Sequence, residues 1–582
     1  VQLAEKRART QPVTPARRIR PMPSVVLEEP APAQWHRVLT LLADVSLFVG
    51  TRSVWTQAAT HRLPVAAVIS VCYASILVCG VLTLVVRGSR SLARLDLCVL
   101  MTAMTLTLCA WIMLHSGGDE ADLTTQAARE LVAGHAVYGQ PWPWLFDHGV
   151  ALTPTVSGGY DFTYGYPPLA LLLTAPLLWL GHGGAPATAL STGALLTGTV
   201  VLWRMLPVPW RSAATMACLG FAFLPSYGRL GYPAILAMAL LVPVVVRWPR
   251  IGRGGRLGAA GVARAACLGA ACAAQQLPWF LAPFLLAGIY AVRRGELGRR
   301  AGGLVVLRVV GVAVTVWLLI NAYFFVHEPR TWLEGIALPL TQGAVLHGQG
   351  LVGVSLYLTN GGDRLDWYSH ASMLLAAGLL ALFVLFLRRL GPAATVLPWC
   401  AFYLATRSQD GYYLMMTPLW LAAAVTAPPE EFAGAWQPRP RLLSGPRRRP
   451  ARLAAALLVL CPALVSAGIA VTGSPPLRMQ VVAVRRAGPG VSRLALQVTN
   501  TSGRALAPHF TLTTGQGMDP YWSITRGPAT LPAHTTARYE LRPPSGRFGL
   551  PRSGVRIRLR AFTADPQTLS STDARAALEP SG

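Results

Sequence analysis

Residues 116–169 read SGGDEADLTTQAARELVAGHAVYGQPWPWLFDHGVALTPTVSGGYDFTYGYPPL, the first long polar interruption in a chain that otherwise alternates apolar runs with short arginine-rich loops. Three acids, Asp119, Glu120 and Asp122, open it directly after an apolar run ends at His115. Only 13% of the chain is charged, so carboxylates gathered at the rim of a membrane helix mark a functional-site candidate. From Ala121 to Val132 the apolar residues Leu123, Ala127, Leu131 and Val132 recur at helical spacing, with Asp122, Thr125, Gln126 and Arg129 on the other side. Gly134 is placed to end the pattern as a helix C-terminal glycine does. The spacing predicts a short amphipathic helix on the membrane surface that turns Asp122 toward a cleft. The remainder, rich in Pro, Trp, Tyr and Gly, reads as an irregular lid that re-enters the bilayer at Tyr166-Pro167-Pro168, where proline suits a first helical turn.

The rest of the chain agrees with a membrane setting. Of 582 residues 53% are hydrophobic and few are acidic, which describes a polytopic α-helical membrane protein and excludes a soluble enzyme. The formal net charge of +27 invites a nucleic-acid partner. The arginines, however, sit in short loops between apolar runs, where the positive-inside rule places them, and no nucleic acid is expected. All nine cysteines lie between Cys72 and Cys461, in or beside apolar segments and without zinc or disulfide spacing, so they read as packing residues.

Residues 1–34, with Lys6, Arg7, Arg9, Arg17, Arg18 and Arg20, carry no cleavable-signal pattern and are expected to form a cytoplasmic basic tail. Residues 35–472 form the membrane domain. Apolar runs at 38–58, 64–86, 97–115, 166–180, 186–202, 232–246, 258–276, 278–292, 304–326, 371–387, 392–405, 412–425 and 454–471 give about 11–13 spans, if ~20 residues are needed and shorter runs are buried or broken. A further piece at 213–224 is read as re-entrant. Two long outer loops result, 116–165 and 327–370, and the second carries Trp332, Glu334, His347, Gln349, Asp363, Arg364 and Asp366. From Gly473 onward short alternating runs at 479–484, 493–498, 510–513, 538–541 and 555–562, separated by Gly, Pro, Asn and Ser, predict an extracytoplasmic all-β sandwich over 473–582. Its arginines fit either an anionic neighbour, lipid or acidic glycan, or a solvated basic surface.

The string Asp122-Leu123-x-x-Gln126-Ala127-Ala128, Leu131-x-x-Gly134, Tyr138, Tyr164-x-Tyr166-Pro167-Pro168-Leu169 and Pro176-Leu177 resembles the signature of actinobacterial GT-C glycosyltransferases that use polyprenyl-phosphate sugars. The likeness is close in the first outer loop and loose in the membrane topology. The C-terminal region is more similar to the appended domains of arabinofuranosyltransferases of that fold class. The resemblance implies a multi-pass plasma-membrane enzyme that moves mannose or arabinofuranose from a polyprenyl-phosphate donor to an extracytoplasmic cell-envelope glycan or glycolipid.

A sugar on a lipid phosphate already has a fair leaving group, so the enzyme must mainly deprotonate the acceptor hydroxyl and stabilise the departing phosphate. The resemblance implies Asp122 as the base of an inverting displacement, against a plainer role as a helix-start acid favoured by the dipole; Asp119 and Glu120 read first as N-terminal capping or loop acids, with support of the base as their alternative role. Where the family has a Lys-x-x-Pro, this chain reads Gln275-Gln276-Leu277-Pro278, so Arg229, Arg407, His347 or His148 would have to supply charge to the phosphate. Tyr164, Tyr166, Trp142 and His148 are candidates for acceptor or sugar contacts, against a default role as interfacial aromatics. No resident metal is assigned; the oxygens of Asp119, Glu120 and Asp122 would suit a hard divalent cation. The rival classes are a transporter or flippase of lipid-linked saccharide, which would keep ionisable residues deep inside its spans, an envelope scaffold, and a glycosidase, which needs two carboxyls across a sugar.

Overall fold

The computed structural model describes residues 31–115, 117–146, 153–341, 343–438, 448–488, 490–515, 519–551 and 555–578. Residues 1–30 of the basic tail and His148 lie outside the described residues. The membrane part opens with an antiparallel trio, α1 (Gln34–His61), α2 (Leu63–Val85) and α3 (Ser89–Met113). After it come α4 (Asp119–Val132), the short α5 (Leu169–Thr174), α6 (Ala185–Met205), α7 (Arg211–Leu219), α8 (Phe223–Leu230) and α9 (Pro233–Val245). Then follow α10 (Gly258–Ala274), α11 (Leu277–Leu297), α12 (Arg299–His327), α13 (Pro329–Thr341) and α14 (Trp367–Leu385), broken turns over residues 387–426, and a final helix Arg448–Val471.

Among the described residues seven helices are long and apolar enough to cross a membrane, or eight if the pair 208–230 and 233–245, bent by 118°, makes one span. That is a polytopic helical membrane protein with fewer uninterrupted spans than the apolar runs suggested. The physical reason is helix breaking. The run 166–180 becomes α5 and a 3₁₀ stretch at Ala175–Leu180, and the run 392–405 becomes separate turns at Gly391–Ala393, Leu397–Cys400 and Ala401–Leu404. Pro176, Pro392 and Pro398 stand in the first turns of three of these pieces, where the missing N–H keeps an i→i−4 ladder from running through. The piece 213–224 contains a kink in which Phe221 and Ala222 take positive φ, in keeping with its reading as something other than a simple crossing.

Burial sorts the long helices. Two thirds of the apolar window of α6 is buried (67%), against 11% for α12, so α6 is a central post and α12 faces lipid. Inside the first trio Asp96 is fully buried and satisfied: it accepts from Thr40 and Ser212 hydroxyls (2.9 and 2.6 Å) and pairs with His36 Nε2 at 2.8 Å. This network accounts for His36 and Thr40 at the start of α1, whereas the carboxyl of Asp44, one turn farther along, has no hydrogen-bond partner among the described residues.

The arginine-rich turns gather at one end. Arg250 pairs with Glu431, Arg293 donates to the Pro249 carbonyl, Arg308 to that of Gly255, and Arg388 to that of Ala435. Helix α11 ends among these arginine-rich turns, where Arg293 sits, and its 21 residues span about 30 Å back to Gln275 at the other end.

At the other end stand the lid and the β-rich C-terminal region. The lid is no loose flap: Tyr138, Trp142, Phe146 and Tyr164 bury themselves with Phe324 and Trp332 in a core of their own. Glu328 clamps it by accepting the Val137 and Tyr138 N–H groups at 3.0–3.2 Å. Within the second outer loop lie β1 (His347–Gly348) and β2 (Gly361–Gly362), and farther on β3 (Arg407–Ser408), which pairs in parallel with β1. The C-terminal region adds β4 (Leu477–Ala487), β5 (Gly490–Asn500), β6 (His509–Thr514), β7 (Ser523–Arg526), β8 (Thr536–Arg542), β9 (Phe548–Gly549), β10 (Ile557–Thr563) and β11 (Thr568–Asp573). They form two open sheets, β4-β5-β8-β7 with β9 on β5, and β2-β11-β10-β6. Leu494, Leu496 and Tyr539 of the first sheet share a core with Phe510, Leu512 and Leu559 of the second.

The second sheet is completed from outside the C-terminal region, because β2 belongs to the second outer loop and pairs Gly361 with Ser570 and Gly362 with Leu569. Gly361 has φ +115 and a Cβ there would collide with the Leu569 carbonyl, so only glycine lets the strands meet. Tyr521 donates its hydroxyl to the Thr155 carbonyl and its N–H to the Tyr160 hydroxyl, both at 2.8 Å. Arg558 grips the Leu356 and Tyr357 carbonyls. The β-rich region is therefore fastened to both loops that surround the acids.

Candidate active site

Helix α4 begins where three acids meet the positive end of its dipole, and Gly134, at φ +75, follows its last turn. What decides the site is the rotation of this helix. Gly117 (φ +84) and Gly231 (φ +80) both approach Ala121 so closely that a Cβ on either would run into it, and the Gly118 N–H donates to the Leu230 carbonyl at 3.2 Å. With Ala121 held against that turn, Asp119, Glu120 and Leu123 face a cavity of about 580 Å³. Each residue turns the helix by about 100°, which carries Asp122 roughly a third of a turn away from that face.

The structure places the expected residues as follows. Asp119, Glu120, Tyr166, Gln275 and Arg407 line the cavity together. Asp122 is buried on another face of α4, its carboxyl near Gly183, where Arg129 donates to the Gly181 carbonyl at 3.1 Å. Gln276 is a tether: its amide donates to the carbonyls of Gly165 and Ile336, both at 2.9 Å. Tyr164 is fully buried with its hydroxyl on the Pro167 carbonyl, and Trp142 is packed in the lid core. Arg229 bonds Ser226 on its own helix and does not reach the cavity lining. His347 stands opposite Arg407 in the β1–β3 pair, also outside the lining.

Among the lining residues not singled out from the sequence are Asp161, Tyr412 and Gln567. An acid inside the aromatic, glycine-rich lid was the available signal for Asp161. Nothing in sequence spacing could bring Gln567, from the turn between β10 and β11, to a cavity in the membrane part.

The electrostatics separate the acids. Burial, then the charge of Asp119, pushes Glu120 up to about 8, although the Tyr166 hydroxyl and Arg407 oppose it. Burial raises Asp119 as well, against the Glu120 N–H (2.9 Å), Arg407 and the Thr153 hydroxyl, all of which favour its ionised form. Burial likewise raises Asp161, opposed first by the N–H and hydroxyl of Thr163. Asp122 is raised to about 6 by burial and by Asp119, with Arg129 opposing. For Arg407 burial works against the charge, but Tyr412, Tyr166, Asp119 and Glu120 outweigh it and the guanidinium is held above its usual range. Burial and the neighbouring Arg407 and Arg560 hold His347 below the ordinary imidazole range, so it brings no charge at neutral pH.

At pH 7, then, the cavity holds a protonated Glu120 beside Asp119, with the cation of Arg407 acting on both. One Glu120 oxygen and the Arg407 Nε are buried without a hydrogen-bond partner among the described residues. The lining also carries the apolar side chains of Phe280, Leu340, Met373 and Phe402; Leu340 (61% exposed) and Met373 (60%) reach the outside of the bundle. Among the described residues no group of three or more His, Cys, Asp and Glu is arranged to hold a metal ion. No family model matches the chain, and no curated protein matches it.

Proposed function

We propose that the protein is a GT-C glycosyltransferase that moves one sugar, mannose or arabinofuranose, from a polyprenyl-phosphate donor to a cell-envelope glycan or glycolipid. The observation that carries this reading is the cavity whose lining brings Asp119 and Glu120, the latter raised to about 8, together with Arg407 and with apolar residues exposed on the outside of the bundle. The prenyl chain lies along Leu340 and Met373, and its phosphate meets Arg407, whose planar fork suits phosphate oxygens. The acceptor hydroxyl gives its proton to Asp119, its oxygen bonds to the anomeric carbon, and the bond from that carbon to the phosphate oxygen breaks. The electron pair leaves on polyprenyl phosphate, neutralised by Arg407, and the anomeric centre inverts. Glu120, protonated, donates a hydrogen bond in the cavity and keeps a second negative charge away from the incoming phosphate. Asp119 rather than Asp122 is the base in this reading, because it is the acid on the cavity face; Asp122 with Arg129 positions the helix.

The arginine-rich end is cytoplasmic by the positive-inside rule, which puts the cavity and the 473–582 region on the extracytoplasmic side and the 1–34 tail inside. A second reading, transport of a lipid-linked saccharide, is favoured by one observation. Asp44 is buried within α1 with both carboxyl oxygens unpartnered among the described residues, and Asp96 and His36 lie near it. Transport without transfer in sealed vesicles would select it.

The transferase is tested by its pH dependence in proteoliposomes supplied with labelled polyprenyl-phosphate sugars. Glu120 loses its proton as pH rises through about 8, so wild-type transfer is expected to fall on that alkaline limb; it also falls in acid as Asp119 protonates. Glu120→Gln cannot ionise. It should keep activity within about tenfold and lose the alkaline limb, whereas an unchanged limb would remove Glu120 from the site.

A further inference from the structure

A second cavity of about 610 Å³ lies between the start of α14, the end of the helix Arg448–Val471 and the C-terminal β region. Its walls carry Trp367, Asp366, Arg364 and Arg504 over a floor of Ile469 and Leu506. The Trp367 ring is 37% exposed. Among the described residues neither guanidinium nor the Asp366 carboxylate has an ion-pair or hydrogen-bond partner within the protein.

This groove shares two walls with the acidic cavity. Where the chain enters β11, Pro566 and the first strand residue Thr568 line the groove while Gln567, between them, lines the acidic cavity. On α14, Trp367 lines the groove while Ser369 and Ser372 line the cavity. The groove and the acidic cavity are thus neighbours, with Gln567 and Ser369 lining the near side of the latter.

We infer that the groove binds an oligosaccharide, the acceptor glycan behind its growing end. An indole offers a flat apolar face to the C–H face of a pyranose or furanose, as it does to other partly apolar rings. Charged groups make stronger hydrogen bonds to hydroxyls than neutral ones do. Cations and carboxylates interleaved on one groove match a neutral polyol, which takes donors and acceptors together, better than a phosphate, which would be repelled by Asp363 and Asp366. The volume falls within the range of roughly 300–1,000 Å³ usual for small-molecule sites, and the groove is open enough for a chain to continue. The assignment of the occupant as acceptor rests on the transferase reading; oligosaccharide binding does not.

The test uses the full chain in nanodiscs on an array of neutral and uronic-acid oligosaccharides, without donor. Wild type should bind neutral oligosaccharides. Trp367→Ala and Arg504→Ala should each weaken binding by tenfold or more, Trp367→Phe by only a few-fold, and none should change transfer to a monosaccharide acceptor. Binding that survives Trp367→Ala and Arg504→Ala, or an array on which no oligosaccharide is retained, overturns the groove. Binding lost as expected in a protein that transfers no sugar would leave the groove standing and sink the transferase instead.

Discussion

Asp119→Asn is expected to lower sugar transfer by about 10²–10⁴-fold, the usual contribution of a positioned base, while donor binding persists. The substitution is nearly isosteric. Its amide still accepts the Glu120 N–H that Asp119 Oδ1 accepts at 2.9 Å, so the start of α4 keeps its geometry and the loss falls on the chemical step. Asp122→Asn makes the discriminating control. Its carboxyl lies by Gly183, away from the cavity, and its loss should leave transfer within a few-fold of wild type. If Asp122→Asn abolished transfer and Asp119→Asn did not, the base would have to be moved to the residue that the family resemblance suggests.

Replacing Arg407 by Met is expected to cost about 10²–10³-fold in transfer, as removal of a preorganised group that stabilises developing charge does. A second readout separates this from structural damage. The charge of Arg407 opposes the upward shift of both Asp119 and Glu120, so its removal raises both, and the acid limb of the pH profile, set by Asp119, should move to higher pH. Arg407→Lys keeps the charge and should restore the limb, but it loses the planar fork and should recover transfer only in part. An unchanged pH profile in Arg407→Met would show that the guanidinium does not face the acids as the structure has it.

Much of this arrangement was legible in the sequence, and the failures have physical causes. The helix over 121–132 was marked by its own periodicity and by Gly134, and the alternating runs 479–484 and 493–498 fall within β4 and β5. Strand β11, Thr-Leu-Ser-Ser-Thr-Asp, lacks that alternation, because it is sandwiched between β10 and β2 and its hydroxyls are buried in hydrogen bonds, as Ser570 is with the Leu477 N–H. Apolar runs were equated with crossings, but prolines and glycines divide several of them into turns that pack inside the bundle. The three acids could be located from sequence, yet not their facing. That depends on where Gly117 and Gly231 press on Ala121, a contact over more than a hundred positions of chain. Of the phosphate-binding candidates, Arg407 was recognisable only as a charged residue in a loop. Its place opposite the acids comes from the parallel pairing of β3 with β1.

The central claim is that a lipid phosphate docks on Arg407 with its sugar turned to Asp119. A cryo-electron microscopy map of Asp119→Asn in nanodiscs with a polyprenyl-phosphate sugar tests it most directly. The account predicts phosphate density within hydrogen-bond distance of the Arg407 guanidinium, the anomeric carbon facing position 119, and a prenyl tail leaving past Leu340 and Met373. Phosphate density at the arginine-rich end, or a tail that leaves by another route with the acidic cavity empty, would contradict it.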